Sequence, residues 1–436
     1  MAKIPFYIVT LGCDKNTVDS EQIAGLLTAS GKYTLSEYDH AHVVIINTCA
    51  FIDAAKEEAV DTIIEAVEYK KHADHPVVLV GAGCIVETDF VALADEIPEV
   101  DIWLKPSQYN DVVTVLSGGA SVNADEKGYI GDYSDRIPLS MPHSRFVKIS
   151  DGCDMACSYC TIPLIRGGLR SRSLDLIRNE LTVLAADKRI KELIVVSQNT
   201  LFYGSDNRGS TVVDLIQLLG TFDFHWKRLM YMDIRKINDE ILQAMKDNGI
   251  LPYFDIPLQH VDAEVLRSMN RPYSIADIER CIDRIYKRFS DPVLRTTFIT
   301  GFPTETETAF SALRDFVNRG IFHKVGVFAY SMQDKASASV LGDPVSEDIK
   351  NARLEELMQL QMEISAEQLE RFVGQEVETL IDHTGEEGRM WCDAPEIDGV
   401  VYIDREDAKA GELYKTRIVD SYEYDLEGEI IDTLYS

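Results

Sequence analysis

Residues 1 to about 118 alternate between continuous apolar runs and amphipathic stretches. FYIVTLG, HVVIINT, PVVLVGAG and VDIWL are the apolar runs. Each is followed by a helix-like stretch: VDSEQIAGLLTASG, FIDAAKEEAVDTIIEAVEY, DFVALADEI and QYNDVVTVLSGG. A run that is apolar at every position belongs to a strand covered on both faces, so this part is predicted to be α/β, a doubly wound parallel sheet. Gly31 stands where the first helix should stop.

Residues 119–143 are polar, contain Gly and Pro and lack a period, which predicts a linker, with room for a strand of its own. A second strand–helix series covers 144–345. Its strand candidates are RFVKIS, ELIVVSQ, RLMYMD, YFDIPLQ, LRTTFITGF and KVGVFAY. Six units are too few for a closed eight-stranded barrel and predict a partial, TIM-like (β/α)6 barrel with its mouth at the carboxyl ends of the strands. Residues 346–371 read as one long connecting helix without Pro or Gly. Residues 372–436 break into short strand-like pieces, a pattern that predicts a small antiparallel, OB-like β-barrel.

Charge narrows the choice of partner. Asp and Glu number 73 against 43 Lys and Arg, a formal net charge of −30. Such a surface repels a phosphate backbone, whose binding rests on Lys and Arg, and attracts a basic protein. The terminal barrel segment is itself strongly acidic, the opposite of a nucleic-acid-binding barrel. Strong negative charge also serves solubility or a salt-rich habitat. No stretch of eighteen apolar residues occurs, and the N-terminus lacks the layout of a signal peptide, so a cytoplasmic protein is expected. Eight cysteines in such a chain point to metal ligation rather than disulfides.

Six of the eight fall into two sets. Cys153, Cys157 and Cys160 stand in a C-x3-C-x2-C spacing within KISDGCDMACSYCTIPLIRGG, with Tyr159 just before the third. Three thiolates on one loop hold an iron–sulfur cluster by three corners and leave one iron open. A zinc knuckle completed by His143 is the alternative, although the paired C-x2-C units usual for zinc are missing. Cys13, Cys49 and Cys84 each lie just past a predicted strand, 36 and 35 residues apart. In a parallel sheet those positions share one edge, so the three should converge on a second cluster. The alternative is three small buried side chains. Cys281, within a helical pattern, and Cys392, beside Trp391, read as packing residues. His260 is a candidate to face the site. Arg166 and Arg172 are expected either to hold the carboxylate of a bound cofactor or a substrate acid, or to be solvated.

The cysteine loop together with the partial-barrel series resembles the radical S-adenosylmethionine (SAM) superfamily. The whole chain resembles its methylthiotransferase branch, with an N-terminal three-cysteine domain (1–118), a radical SAM core (144–345) and a C-terminal TRAM-type barrel (372–436). That resemblance implies two 4Fe-4S clusters and SAM as cofactors, with Cys13, Cys49, Cys84, Cys153, Cys157 and Cys160 as metal ligands. It implies that SAM on the open iron of the second set is cleaved to a 5′-deoxyadenosyl radical, and that the first set holds the sulfur to be transferred. It places Tyr159, then Gln198, Asn199 and Thr200 in SQNTLFYG, Asp255, and Gly301, Pro303 and Glu305 in FITGFPTETE around SAM. SQNTLFYG also reads as an ordinary loop after a strand, and Thr304 as a helix cap.

LGCDKNTVDSE, INTCAFIDAAKEEAVDTI and YFDIPLQH resemble the members that modify the β-carbon of an aspartate in a ribosomal small-subunit protein. The tRNA-modifying members usually carry Gln-Met where this chain has Asp14-Lys15. A basic ribosomal protein is therefore the expected substrate, with methylthiolation of a tRNA adenosine as the alternative and an iron–sulfur carrier or redox sensor as the non-enzymatic one. Flavodoxin or ferredoxin is the expected reductant; the sulfur donor is left open. Three departures touch the expected SAM and substrate contacts and no cluster ligand. YMDIRKIND lacks the proline common after its tyrosine, Asn199 replaces a frequent Asp, and GGLRSR lacks a common Lys.

Overall fold

The computed structural model describes residues 2–122, 127–206 and 209–434. Its first part is a five-stranded parallel sheet. The strands are β1 (Ile4–Thr10), β2 (Tyr33–Leu35), β3 (Val43–Thr48), β4 (Val78–Gly83) and β5 (Ile102–Leu104), in the order β2-β1-β3-β4-β5. Helices α1 (Asp14–Ala29), α2 (Asp53–His72) and α3 (Cys84–Glu96) lie between its strands, and α4 (Val112–Leu116) follows β5. The doubly wound expectation holds. The pattern missed β2, which is only three residues long and ends in an exposed leucine. Helix α1 is buried nearly all round and carries Asn16, Asp19, Ser20 and Glu21 into the interior. Burial on every side is tolerable because each of these polar groups has a partner.

The expected linker is packed rather than solvated. Tyr129, Tyr133 and Arg136 are buried, and Arg136 and Arg145 both pair with Glu21 of α1. The described part of 119–143 forms no strand, and residues 123–126 lie outside the described residues.

The central part carries the six expected strands: β6 (Ser144–Lys148), β9 (Glu192–Val196), β10 (Trp226–Leu229), β11 (Tyr253–Asp255), β12 (Val293–Thr300) and β13 (Lys324–Ala329). All their ladders are parallel, but they divide into two three-stranded sheets, β10-β9-β6 and β11-β12-β13. At the seam, single bonds such as Met232 N–H to the Asp255 carbonyl (2.8 Å) bridge β10 and β11. A two-residue ribbon, β7 (Ser150–Asp151) with β8 (Arg170–Ser171), closes the base of the cysteine loop, which also contains α5 (Ile162–Arg166). Helices α6 (Leu174–Ala186), α7 (Val212–Gly220), α8 (Asp239–Asp247), α9 (Ala263–Ser268), α10 (Ile275–Arg288) and α11 (Glu307–Val317) form the outer layer. Their apolar stripes bury Leu181, Leu215, Met245, Ile285 and Leu313 against Val147, Val195, Phe254 and Phe298. Cys281 is buried in α10 as a packing residue.

Helix α12 (Glu347–Glu370) leads to a closed five-stranded barrel of β14 (Glu376–His383), β15 (Glu387–Arg389), β16 (Val401–Ile403), β17 (Leu413–Ser421) and β18 (Leu426–Thr433). Four of its pairings are antiparallel and one, β16 with β18, is parallel, so the wholly antiparallel expectation is corrected there. Of the short strand-like pieces in 372–436, RMWCDAP is mostly a loop inserted at the amino ends of the central strands. Arg228 donates to the carbonyls of Trp391 and Asp393 (both 2.9 Å), Tyr253 Oη donates to Asp398 (2.6 Å), and Lys324 pairs with Asp393. Glu192 binds both Arg228 and Arg389. Cys392 is buried in this plug.

One hydrophobic core runs through all three parts. It joins Phe6 and Ile45 of the first sheet, Phe146, Ile194 and Tyr253 of the central strands, and Ile381 and Met390 of the terminal barrel. Shared burial fixes their relative placement. Among the described residues no helix is long and apolar enough to cross a membrane.

Candidate functional site

The carboxyl edge of the first sheet rests on the mouth of the central barrel. Cys13 and Cys49 follow β1 and β3, and Cys84 opens α3 directly after β4. The glycines before the first and third cysteine let these turns close up. Gly12 (φ 90°) would place a Cβ 2.6 Å from Cys49 Cβ, and Gly83 (φ 101°) would place one 2.4 Å from the Thr48 carbonyl. No larger residue fits either position. Asn16 ties two of the turns together, donating to the carbonyls of Leu11 and Thr48 (both 3.0 Å).

The second set lies on a loop strapped to the segment after β11. Ser158 N–H bonds the Met269 carbonyl (3.0 Å), Asn270 donates to the Ala156 carbonyl (2.7 Å), and Arg271 reaches Cys157 Sγ (3.7 Å). Backbone N–H groups of Met155 and Ile162 point at the sulfurs of Cys153 and Cys160 (both 3.4 Å).

Three contacts seat the first set over the second. Tyr231, just past β10, donates to Asp14 (2.8 Å), and Lys15 Nζ lies 3.6 Å from the centre of its ring. Asp53, shortly after Cys49, accepts from Ser331 (2.8 Å) and Gln333 (3.1 Å), just past β13. Arg166 of α5 binds Asn16 and Asp19 (both 2.7 Å) and Cys84 Sγ (3.3 Å).

Both sets suit a polynuclear cluster. All six thiols are free. Burial, then the charges of Cys84 and Cys13, push the Cys49 thiol up to about 12. Burial, then the neighbouring thiols, does the same for Cys160. Cys84 and Cys153 are raised as well, chiefly by burial. Thiols that crowd and raise one another become thiolates when a cation is shared among them. Among the described residues, no group of three Cys, His, Asp or Glu converges on one ion. In a cluster each thiolate would bind a different iron, so convergence on a single ion is not required of either set. His143 is not available to complete a zinc site; it is buried against Asp382 of the terminal barrel (2.8 Å).

The expected SAM-side residues line the same mouth, and most are already engaged. Gln198 donates to Asp151 (2.8 Å), leaving its buried Oε1 without a partner. Asn199 lies near Asp233 (3.4 Å), with its own Oδ1 unpartnered. Thr200 faces Ser197 (3.4 Å). Asp255 is buried and paired with Arg295 (2.9 Å). Glu305 accepts from Gly301 N–H (2.6 Å) and binds His260 (3.1 Å) and Arg353 (2.7 Å), which fixes the turn containing Pro303. His260 therefore holds the turn from beneath. Tyr159 packs against Val265, Met269 and Phe302.

The expectation for the two arginines is corrected. Arg166 and Arg172 are buried and paired within the protein, Arg172 with Glu180 (2.5 Å). Sequence reasoning also missed Asp19 and Asp151. Asp19 binds Lys148 (2.8 Å) and Arg166 (2.7 Å), and Asp151 binds the same two at 3.2 and 3.4 Å. Burial raises the Asp151 carboxyl, but Lys148 and Arg166 outweigh it and hold the group far below its ordinary range. The adjacency of Asn16 to Cys13 and of Asp151 to the cysteine loop was the available signal. A cavity of about 320 Å3 lies on the opposite side, between α12 and the plug, and none of the six candidate ligands lines it.

Three family models match in chain order: the uncharacterized protein family UPF0004 over residues 5–105, the radical SAM superfamily over 147–317 and the TRAM domain over 373–431. The chain is 39% identical to the ribosomal protein uS12 methylthiotransferase RimO of Aquifex aeolicus (strain VF5), covering 98% of each chain. It is 37% identical to the Thermotoga maritima protein of the same name, covering 97% of this chain and 99% of that one. Among solved structures it is similar in fold to the radical SAM methyltransferase TsrM from Kitasatospora setae, at a TM-score of 0.57 and 14% identity over 76% of this chain and 72% of that one. With three matching parts in this order and near-complete alignment to such relatives, the chain belongs to the RimO family of radical SAM methylthiotransferases.

Proposed function

We propose that this chain transfers a methylthio group to the β-carbon of an aspartate in ribosomal protein uS12, using the two cysteine sets as the seats of two 4Fe-4S clusters. The observation that carries the reading is the docking of the first sheet's carboxyl edge onto the barrel mouth through Asp14, Asp53 and Arg166. A substrate side chain entering that mouth meets both sets. Bound there, the clusters and SAM supply one-electron cleavage of a sulfonium and a site for transferable sulfur.

The chain's own residues position and exclude. Cys153, Cys157 and Cys160 would hold the SAM-binding cluster, and Cys13, Cys49 and Cys84 the other. Gly152 (φ 75°) lets the cysteine loop turn within van der Waals reach of Gly168; a Cβ there would lie 2.2 Å from its carbonyl oxygen. The buried oxygens of Gln198 and Asn199 have no partner and would serve as acceptors for an ammonium group of SAM. Arg295 pairs with Asp255 and would orient it for hydroxyl contacts, and Glu305 holds the fifth-strand turn. The plug at residues 390–398 closes the far end of the barrel, which limits water entry from that side. The acidic terminal barrel favours a basic protein over tRNA. Flavodoxin or ferredoxin would deliver electrons, and the setting is the cytoplasm.

The test is incubation of reduced, reconstituted protein with SAM and either uS12 or tRNA. A methylthio mass increment on a uS12 aspartate and none on tRNA is expected. An increment on tRNA alone would overturn the reading.

A further inference from the structure

Arg166 reaches from the cysteine loop to the turn that carries Cys84 through hydrogen bonds. It sits six residues beyond Cys160, on the last turn of the cysteine loop's own helix. Its guanidinium reaches into the first domain, to Asn16 Oδ1 (2.7 Å) and Cys84 Sγ (3.3 Å). The other nitrogen binds Asp19 (2.7 Å) and Asp151 (3.4 Å). With Lys148 these make a quartet of two cations and two anions, all fully buried. The quartet's formal charges sum to zero, and one N–H of Arg166 is directed at a sulfur.

We propose that Arg166 is a positioning and potential-setting residue for the N-terminal cluster, donating an N–H···S hydrogen bond to the Cys84 thiolate. This rests on the reading that Cys13, Cys49 and Cys84 carry a cluster. A reduced cluster holds one more electron, and the extra negative charge spreads onto its thiolates. A donor aimed at a thiolate stabilises the reduced form more than the oxidised one, so it raises the reduction potential. The planar fork makes this geometry specific, because it engages Asn16, Asp19 and the sulfur at once. Asn16 in turn grips the turns before Cys13 and Cys49. The same residue therefore fixes where the first set stands relative to the loop of the second.

The test uses the full chain with Cys153, Cys157 and Cys160 replaced by Ala, so that only the N-terminal cluster is read. Arg166→Gln is expected to make reduction of that cluster at least tenfold less favourable, which is 59 mV for one electron. Arg172→Gln is the matched control, since Arg172 is equally buried and touches no cysteine. It is expected to leave the potential within twofold. An unchanged potential in Arg166→Gln, or an equal shift in both variants, overturns the proposal.

A second measurement needs no substitution at Arg166 and covers the case in which that variant does not fold. In the same chain with 15N-guanidino arginine, pulsed electron paramagnetic resonance of the reduced cluster should show a coupled 15N. Absence of that coupling also overturns the proposal. Failure of the unsubstituted parent to bind any cluster would instead overturn the assignment of Cys13, Cys49 and Cys84, which separates the two failures.

Discussion

Replacing Asp19 by Asn removes one anion from the buried quartet without changing its volume. Asp19 is fully buried and contacts Lys148 at 2.8 Å and Arg166 at 2.7 Å. Coulomb's law at an effective dielectric of about 20 gives roughly 6 kcal/mol for each contact before desolvation is counted. Desolvation costs several kcal/mol per ion and cancels much of that gain, so the intact pair contributes little net. Truncating one partner is different, because two buried cations are left sharing Asp151. The expected loss is about 3–5 kcal/mol. The assay is urea unfolding of the Asp19→Asn protein, with Asp187→Asn as the half-buried surface comparison, where the Arg189 partner is 79% exposed. The control should cost under about 1 kcal/mol. Asp19 also lies on the seam between the first sheet and the barrel. Asp19→Asn should therefore reduce uS12 modification more than SAM cleavage, which needs only the second cysteine set. A cost below about 1 kcal/mol for Asp19→Asn would refute the argument, since it would mean that water or a rearranged partner replaces the carboxylate.

Three other outcomes are expected. Gly152→Ala forces a Cβ to within 2.2 Å of a backbone carbonyl at a positive φ, so iron bound by the second set should be lost while iron bound by the first is kept, as read by iron analysis of each triad variant. Burial lowers His323 to about 4, below its ordinary value near 6.5; the unfolded chain then binds more protons between those values, so stability is full above about pH 6.5 and falls by up to about 3 kcal/mol as pH drops to 4, a slope that His323→Asn should flatten in urea titrations across that range. Removing residues 372–436 takes away the plug that binds Arg228, Tyr253 and Lys324, so the shortened chain should aggregate or unfold at lower urea, rather than fold normally with only weaker substrate binding.

The strands that carry the cysteines were legible because each is an apolar run covered on both faces, and the cysteines stand at one register after them. The six central strands and α12 were legible for the same reason of period. Strand β2 was not, since three residues hold no period. The plug was not, because 372–436 reads as short strand-like pieces throughout, and the partners of Trp391, Asp393 and Asp398, namely Arg228, Tyr253 and Lys324, lie far away in the chain. Arg166 was misplaced for the same reason. Burial of an arginine depends on anions such as Asp19, 147 residues away, and no local pattern encodes that distance. Local spacing points to the candidate ligands, whereas the ionic hub between the two cysteine sets is a tertiary property.

The central claim is that one product needs both cysteine sets facing one mouth. The most direct measurement is turnover of the Cys49→Ala protein with SAM, reductant and uS12, reading 5′-deoxyadenosine and the uS12 mass together. Continued SAM cleavage with no methylthio increment is predicted. A normal increment on uS12 would contradict the account, because the N-terminal set would then have no part in the transfer.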